Sequence, residues 1–284
     1  MIAIFFALIA YVGWGAGDIF VGLSSRKLGS LVTTFWIYGL GALLPIICIP
    51  FVFNSLAQIT YLSFSISVIL GVLMAAAGLA FIEGLRVGNA SIVGTIAGSF
   101  TSIVVVLSVI FLNETLFANQ IVLILIIFAG VILSSLNLKD LSGGNLLNKG
   151  TGLALFAMVG WGISFTLIKI PIREIGWFWP AYIEGIVAFL IFLVLILRKK
   201  TSIALDRRNF LIVFLGALLP TLGFYSFNYA ISIGQTSIVA PIAGSSITLF
   251  VLLSRFVFKD RLNKQQIAGI IITICGIVLL AILS

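Results

Sequence analysis

The chain has no histidine and only two cysteines in 284 residues. That removes the commonest metal ligand and the commonest general base, so a zinc site or a catalytic triad would need improbable substitutes. Charge is also scarce. Eight acidic and sixteen basic residues amount to 8% of the chain, against 62% hydrophobic residues and a mean hydropathy of +1.31. Soluble domains carry about 25% charged residues, so the medium that suits this surface is lipid. No Gly-x-x-x-x-Gly-Lys loop is present to cradle a nucleotide phosphate, and no cofactor is implied. The basic excess does not indicate nucleic acid, because the Lys and Arg residues fall between apolar runs, where they orient membrane spans. Cys48 and Cys275 lie inside apolar runs and read as small hydrophobes.

What the chain does have is a repeat. Gly88-Asn-Ala-Ser-Ile-Val-Gly-Thr-Ile-Ala-Gly-Ser99 returns 146 residues later as Gly234-Gln-Thr-Ser-Ile-Val-Ala-Pro-Ile-Ala-Gly-Ser245, identical at eight of twelve positions. At the same offset Glu114 meets Asp260 and Gly130 meets Gly276, while Gly13-Trp14-Gly15 answers Gly160-Trp161-Gly162 at an offset of 147. A membrane helix needs about 20 apolar residues. That length gives ten spans: 2–23, 31–53, 65–86, 91–112, 119–137, 151–172, 177–198, 209–231, 237–258 and 264–283. The units are 1–137 and 151–284, joined by a polar linker over 138–150. Five spans end on the opposite side from where they begin, so the second unit enters the membrane inverted. The expected fold is an all-α integral membrane protein with ten transmembrane helices as two inverted five-helix repeats. Fourteen of the sixteen basic residues flank the connections after helices 1, 3, 5, 7 and 9, and only Lys169 and Arg173 lie on the other side. The odd-numbered loops and the linker are therefore expected in the cytoplasm, with both termini outside a cell membrane.

With these features the sequence resembles the EamA-type transporters of the drug/metabolite transporter superfamily. The resemblance is carried by the duplication, the Gly-Trp-Gly triplets, and the segments Phe111-Leu-Asn-Glu-Thr-Leu116 with Gly130 and Phe258-Lys-Asp-Arg-Leu262 with Gly276. The second half departs by carrying Asp260 where such families usually show Glu. The resemblance implies a central cavity lined by helices 1–4 and 6–9, with helices 5 and 10 peripheral. The substrates of the superfamily range over amino acids, sugars, nucleotide-linked sugars, quaternary amines and other metabolites.

The residues inside the spans give the candidate site. Asp18, Glu83 and Glu184 are the only acids within spans, where an ionisable side chain points to function. Glu83 has an alternative as a local pair with Arg86, and Asp18 has one as a group reaching toward Arg26 and Lys27. Glu184 has no basic residue within a turn of its helix, although Lys169 could reach it from helix 6. It is the favoured coupling group, exchanging a proton for a cationic substrate. Helix 8 carries a polar stripe of Thr221, Tyr225, Asn228 and Ser232 and is expected to wall the cavity, with Pro220 able to kink it. Thr95, Ser99 and Ser102 on helix 4, answered by Ser245 and Thr248 on helix 9, either face the cavity or bond their own helix backbone. Trp14, Trp36, Tyr38, Trp161, Tyr182, Tyr225 and Tyr229 lie within spans. Trp36 matches Tyr182 and Tyr38 matches Glu184 across the repeat, which suggests an aromatic box holding one carboxylate. Trp177 and Trp179 read as interfacial anchors, and the 24 phenylalanines as lipid-facing bulk.

The function expected is secondary transport of a small polar metabolite, such as an amino acid, amine or similar zwitterion or cation, by alternating access. Coupling would be to protons or by exchange, in a monomer or weak dimer within the bilayer. A facilitative carrier of sugars or other neutral metabolites, and a non-transporting receptor or scaffold, stay open at this stage.

Overall fold

A computed structural model of the chain describes residues 1–88, 90–135, 149–257 and 262–283. Asp140, most of the 138–150 linker, Asp260 and Ser284 lie outside the described residues. Among the described residues ten helices are long and apolar enough to cross a membrane, and each expected span falls on one of them. They are α1 (Ile2–Leu28), α2 (Ser30–Leu43, continued to Gln58 by short, largely 3-10 turns), α3 (Tyr61–Val87), α4 (Ala90–Gly98 and Phe100–Phe111) and α5 (Ala118–Ser135). The second half contributes α6 (Lys149–Leu167 and Lys169–Ile175), α7 (Phe178–Lys199), α8 (Arg207–Ile233), α9 (Thr236–Gly244 and Ser246–Val257) and α10 (Lys264–Leu283). The protein is an all-helical, multi-pass membrane protein of two inverted repeats. Helices suit lipid because each satisfies its own backbone hydrogen bonds.

The two halves are interleaved rather than set side by side. Helix α1 lies along α8, and its repeat mate α6 lies along α3. Likewise α1 packs on α9 while α6 packs on α4, and α2 meets α7, α4 meets α9 and α5 meets α10. Each pairing has a partner under exchange of the halves, as a twofold relation requires. The α5–α10 pair packs against α4 and α9 at the periphery, as the family resemblance implies.

Glycine permits these crossings. A Cβ on Gly13 would stand 2.7 Å from the Leu219 carbonyl oxygen and 2.9 Å from Gly223 Cα. One on Gly15 would stand 2.7 Å from the Ser246 carbonyl oxygen. In the second half, Gly160 abuts Ala77 and Gly162 abuts Ile103 at 2.9 and 2.6 Å from the same imagined atom. The Gly-Trp-Gly triplet thus acquires a physical meaning. Neighbouring helix residues point about 100° apart, so each glycine seats its helix against a different neighbour while the tryptophan between them faces inward. Pro220 lies within the continuous helix α8, its ring against Gly17 of α1.

The α5–α10 contact is another close approach of backbones. A Cβ on Gly130 would meet Gly269 O at 2.9 Å and the side chain of Thr273, and one on Gly269 would meet the backbone of Ser134. Gly269→Val is expected to lower the thermal midpoint of the detergent-solubilised protein, because overpacking a filled contact costs about 1–3 kcal/mol. Ligand affinity of the surviving folded fraction should match wild type, since neither residue approaches the cavity. A midpoint equal to wild type would show that α5 and α10 can separate at no cost.

Candidate functional site

A cavity of about 250 Å3 lies between the halves, lined by residues from α1–α4 and α6–α9. Its walls are largely aromatic. Trp14 packs tilted against Phe165 at 5.3 Å, Phe165 stacks on Phe100 at 5.0 Å, and Phe100 meets Trp161 edge to face at 5.9 Å between ring centroids. This chain of rings connects the tryptophans of the two Gly-Trp-Gly triplets. Tyr38 enters from α2, stacked on Phe192 at 5.2 Å, with a hydroxyl that would meet a Cβ on Gly78 at 2.9 Å. Tyr225, Thr221 and Phe224 complete the wall from α8.

Two carboxylates line the same space. Asp18 comes from α1 and Glu184 from α7. Glu184 is 1% exposed, and both of its oxygens lack a hydrogen-bond partner. Tyr38 and Tyr225 lie close enough to interact with it electrostatically. Asp18 takes part in neither of the two ion pairs among the described residues, so it is not salt-bridged to the basic end of its helix. Lys27 there is bonded instead to Asn209 at 3.2 Å.

Several expected site residues sit elsewhere. Trp36 points away, donating from Nε1 to the Ile203 carbonyl at 3.2 Å, and Tyr182 stacks on Phe178 at 5.4 Å outside the cavity. The proposed aromatic box does not assemble, for a geometric reason. Residues two apart on a helix point about 200° apart, so Tyr38 and Glu184 face inward while Trp36 and Tyr182 face out. The stripe on α8 divides along its length. Thr221 and Tyr225 reach the cavity, but Asn228 lies one turn, about 4.5 Å, beyond Tyr225 along the axis, fully buried, donating to its own helix at the Phe224 carbonyl. Ser232 bonds the Tyr229 carbonyl, and Tyr229 packs on Phe6 and Trp177.

Ser99 and Ser245 stand at the breaks in α4 and α9, where their hydroxyls donate to Thr95 and Ile242 carbonyls at 2.8 and 2.7 Å. They bond backbone rather than line the cavity. Glu83 is held by Arg86 through two bonds of 2.6 and 2.7 Å at the cytoplasm-assigned end of α3. The phenylalanines were the missed signal: Phe81, Phe100, Phe165 and Phe224 all line the cavity. Of these, Phe165 falls one turn after Trp161 on the same inward face, while α3 and α4 carry no tryptophan to mark Phe81 and Phe100.

At the end of the helices away from the basic loops the two halves are tied together. The extension of α2 folds over the start of α7, where Trp179 Nε1 donates to the Val52 carbonyl at 3.1 Å and to Ser55 Oγ at 3.0 Å. Trp179 is 6% exposed, so it is a buried tie and not an interfacial anchor. Beside it, Lys169 does not reach Glu184. Its Nζ donates to Glu114 Oε1 at 2.8 Å and to the Gly234 carbonyl at 2.7 Å. Glu114 in turn accepts the backbone N–H groups of Thr236 and Ser237 at 2.8 and 2.7 Å, capping the N-terminus of α9 from the other half. Burial works against its ionisation, but the bonds from Lys169, Thr236 and Ser237 outweigh it and hold the carboxyl below the usual range.

A family model described as the EamA-like transporter family matches residues 1–136 and 148–282. The chain belongs to this family. An uncharacterized protein of Methanocaldococcus jannaschii is 30% identical over 131 residues, which are 46% of this chain and 94% of that protein. A probable amino-acid metabolite efflux pump of Salmonella typhimurium is 28% identical over 134 residues, 45% of this chain and 41% of the pump. A solved crystal structure superposes with a TM-score of 0.80 at 13% identity, covering 99% of this chain and 96% of that one, and so shares the fold. In this EamA-like protein the duplicated unit is the size of the whole archaeal relative.

The clamp predicts a defined loss. Glu114→Gln leaves Lys169 buried without its counter-charge, and breaking a buried pair in this way costs about 3–5 kcal/mol. The thermal midpoint should fall, and Lys169→Met in the same chain should recover part of the loss. Because the Glu114 carboxyl is held low, its contribution is present above the ordinary carboxylate range and is lost as pH falls through the lowered value. Wild type should therefore lose more midpoint on acidification below about pH 4.5 than the double variant. Equal slopes would mean the pair contributes no net stability.

Proposed function

We propose that the protein is a secondary transporter that carries a small polar metabolite across the cell membrane by alternating access, with proton coupling or exchange. One observation carries this reading: Glu184 is buried in an aromatic cavity between the halves with both oxygens unpartnered. A static scaffold would gain stability by replacing that group, whereas a carrier needs an anion that substrate or proton can complete. Membership of a transporter family, and similarity to a probable amino-acid metabolite efflux pump, point the same way.

We read the end tied by these contacts as closed, which supports a state open toward the cytoplasm. The clamp of Glu114 and Lys169 and the cluster around Phe178 and Trp179 lie at one end. At the other, the lining reaches Val21 and Ile82, within about two turns of the ends of α1 and α3. The transition to the opposite state would require the clamp to part as α9 moves against the α4–α5 connection. Repeat swaps of this kind underlie many inverted-repeat carriers.

The test is solute flux into proteoliposomes with and without an imposed pH step. Wild type is expected to concentrate solute in response to the gradient, and Glu184→Gln to retain at most a passive flux that ignores it. A Glu184→Gln protein that still concentrates solute would remove this residue from coupling. Wild type without flux for any amine, amino acid or sugar would remove the transport reading itself.

The basic bias assigns orientation, with odd-numbered loops cytoplasmic and both termini outside. In a chain lacking Cys48 and Cys275, a cysteine at exposed Gln58 should react with impermeant maleimide in intact cells, and one at exposed Ser202 only after lysis. The reverse pattern would invert the assignment.

A further inference from the structure

We propose that the cavity selects an organic cation with an apolar body, an amine free of carboxylate, over the corresponding amino acid. This rests on the carrier reading for its biological use, but the selectivity itself is a property of binding. The first ground is charge. Asp18 and Glu184 line the cavity, and among the described residues no lysine or arginine does. An amino acid brings one ammonium and one carboxylate, and only the first has a counter-charge here.

The second ground is that the groups able to replace a missing cation are already committed. Lys169, a basic residue buried at the closed end, gives its bonds to Glu114 and the Gly234 carbonyl. The N-terminus of α9, a positive end of the kind that binds substrate carboxylates in inverted-repeat carriers, is occupied by the Glu114 carboxylate. Arg86 forks onto Glu83. A substrate carboxylate would enter beside two protein carboxylates, in a space of low dielectric where repulsion is weakly screened.

The third ground is shape and surface. An ammonium placed at Glu184 would complete two buried acceptors that have no partner. Its apolar remainder would lie against Trp14, Phe165, Trp161 and Tyr38, whose ring faces attract a cation and pack a hydrocarbon equally well. The cavity volume of about 250 Å3 is small for a ligand pocket, which limits the guest to one of metabolite size.

The experiment uses the purified full chain and matched pairs: tryptamine with tryptophan, phenethylamine with phenylalanine, isopentylamine with leucine and cadaverine with lysine. N-Acetyltryptamine serves as the uncharged control. Binding is read by calorimetry and by thermal shift, since a ligand that binds the native state raises its midpoint. At least one amine should bind tenfold or more tightly than its amino acid, and tryptamine more tightly than its acetyl derivative. Glu184→Gln should weaken that amine at least tenfold while its own ligand-free midpoint stays level or rises, which separates loss of a counter-charge from loss of fold. Asp18→Asn supplies the second variant. The proposal is overturned if amino acids bind as well as their amines, if no amine binds, or if both variants bind like wild type. Amine-selective binding without flux in proteoliposomes would remove the carrier reading and leave the cation site. Flux of an amino acid with no amine selectivity would do the reverse.

Discussion

Everything in this protein depends on the close crossing of helices from opposite halves. Lipid provides no hydrophobic drive between apolar helices, so their association must come from packing and from backbone approach. Glycines at 13, 15 and 17 let α1 sink onto α8 and α9, and glycines at 160 and 162 let α6 sink onto α3 and α4. Because the main contacts link one half to the other, neither half can form its buried surface alone. The cavity is what the crossings leave over. It lies where the tryptophan of each triplet holds the helices apart on the face between its two glycines.

The same crossings decide where polar groups can be tolerated. Tyr11 on α1 bonds Thr248 on α9 at 3.0 Å, Gln235 reaches the Thr115 carbonyl at 3.2 Å, and Glu114 caps α9. These polar ties cross between halves at or above one end of the cavity, and the Glu114 cap is among the most buried. A carrier that changes access must break some contacts while others hold. A charge-assisted cap that is strong when made and costly when half-broken favours two discrete states over a continuum.

Much of the architecture was legible in the sequence because duplication wrote it twice. The ten spans, the inverted halves and the inward tryptophans all follow from apolar length and from the offsets of 146 and 147. The inward faces were only half read. Trp36 and Tyr182 were grouped with Tyr38 and Glu184 through repeat matching, although a two-residue step turns a helix through more than half a circle. Phenylalanine carries no polar signature, so Phe100 is indistinguishable in sequence from lipid-facing bulk, and Phe165 is marked only by its spacing of one turn from Trp161. Asn228 was misplaced by length, its stripe continuing past the end of the cavity. The Glu114–Lys169 clamp spans 55 residues and two halves, and no local pattern announces it.

The duplication also shows where symmetry was given up. At an offset of 147 Asp18 stands opposite Phe165, and at 146 Glu184 stands opposite Tyr38. All four line the cavity, so each half contributes one carboxylate where the other contributes an aromatic ring. Lys169 has Gly22 at its mate, so the clamp's cation too is present in one half alone. The Gly-Trp-Gly crossings, by contrast, are retained in both. Symmetry persists where it positions helices and is broken at the cavity wall and at the Glu114–Lys169 clamp. In the carrier proposed above, a twofold scaffold would make two access states near-equal in packing. Asymmetric charge would then make them unequal in energy, so that occupancy of the carboxylates by a cation would shift the balance by as much as its affinities for the two states differ.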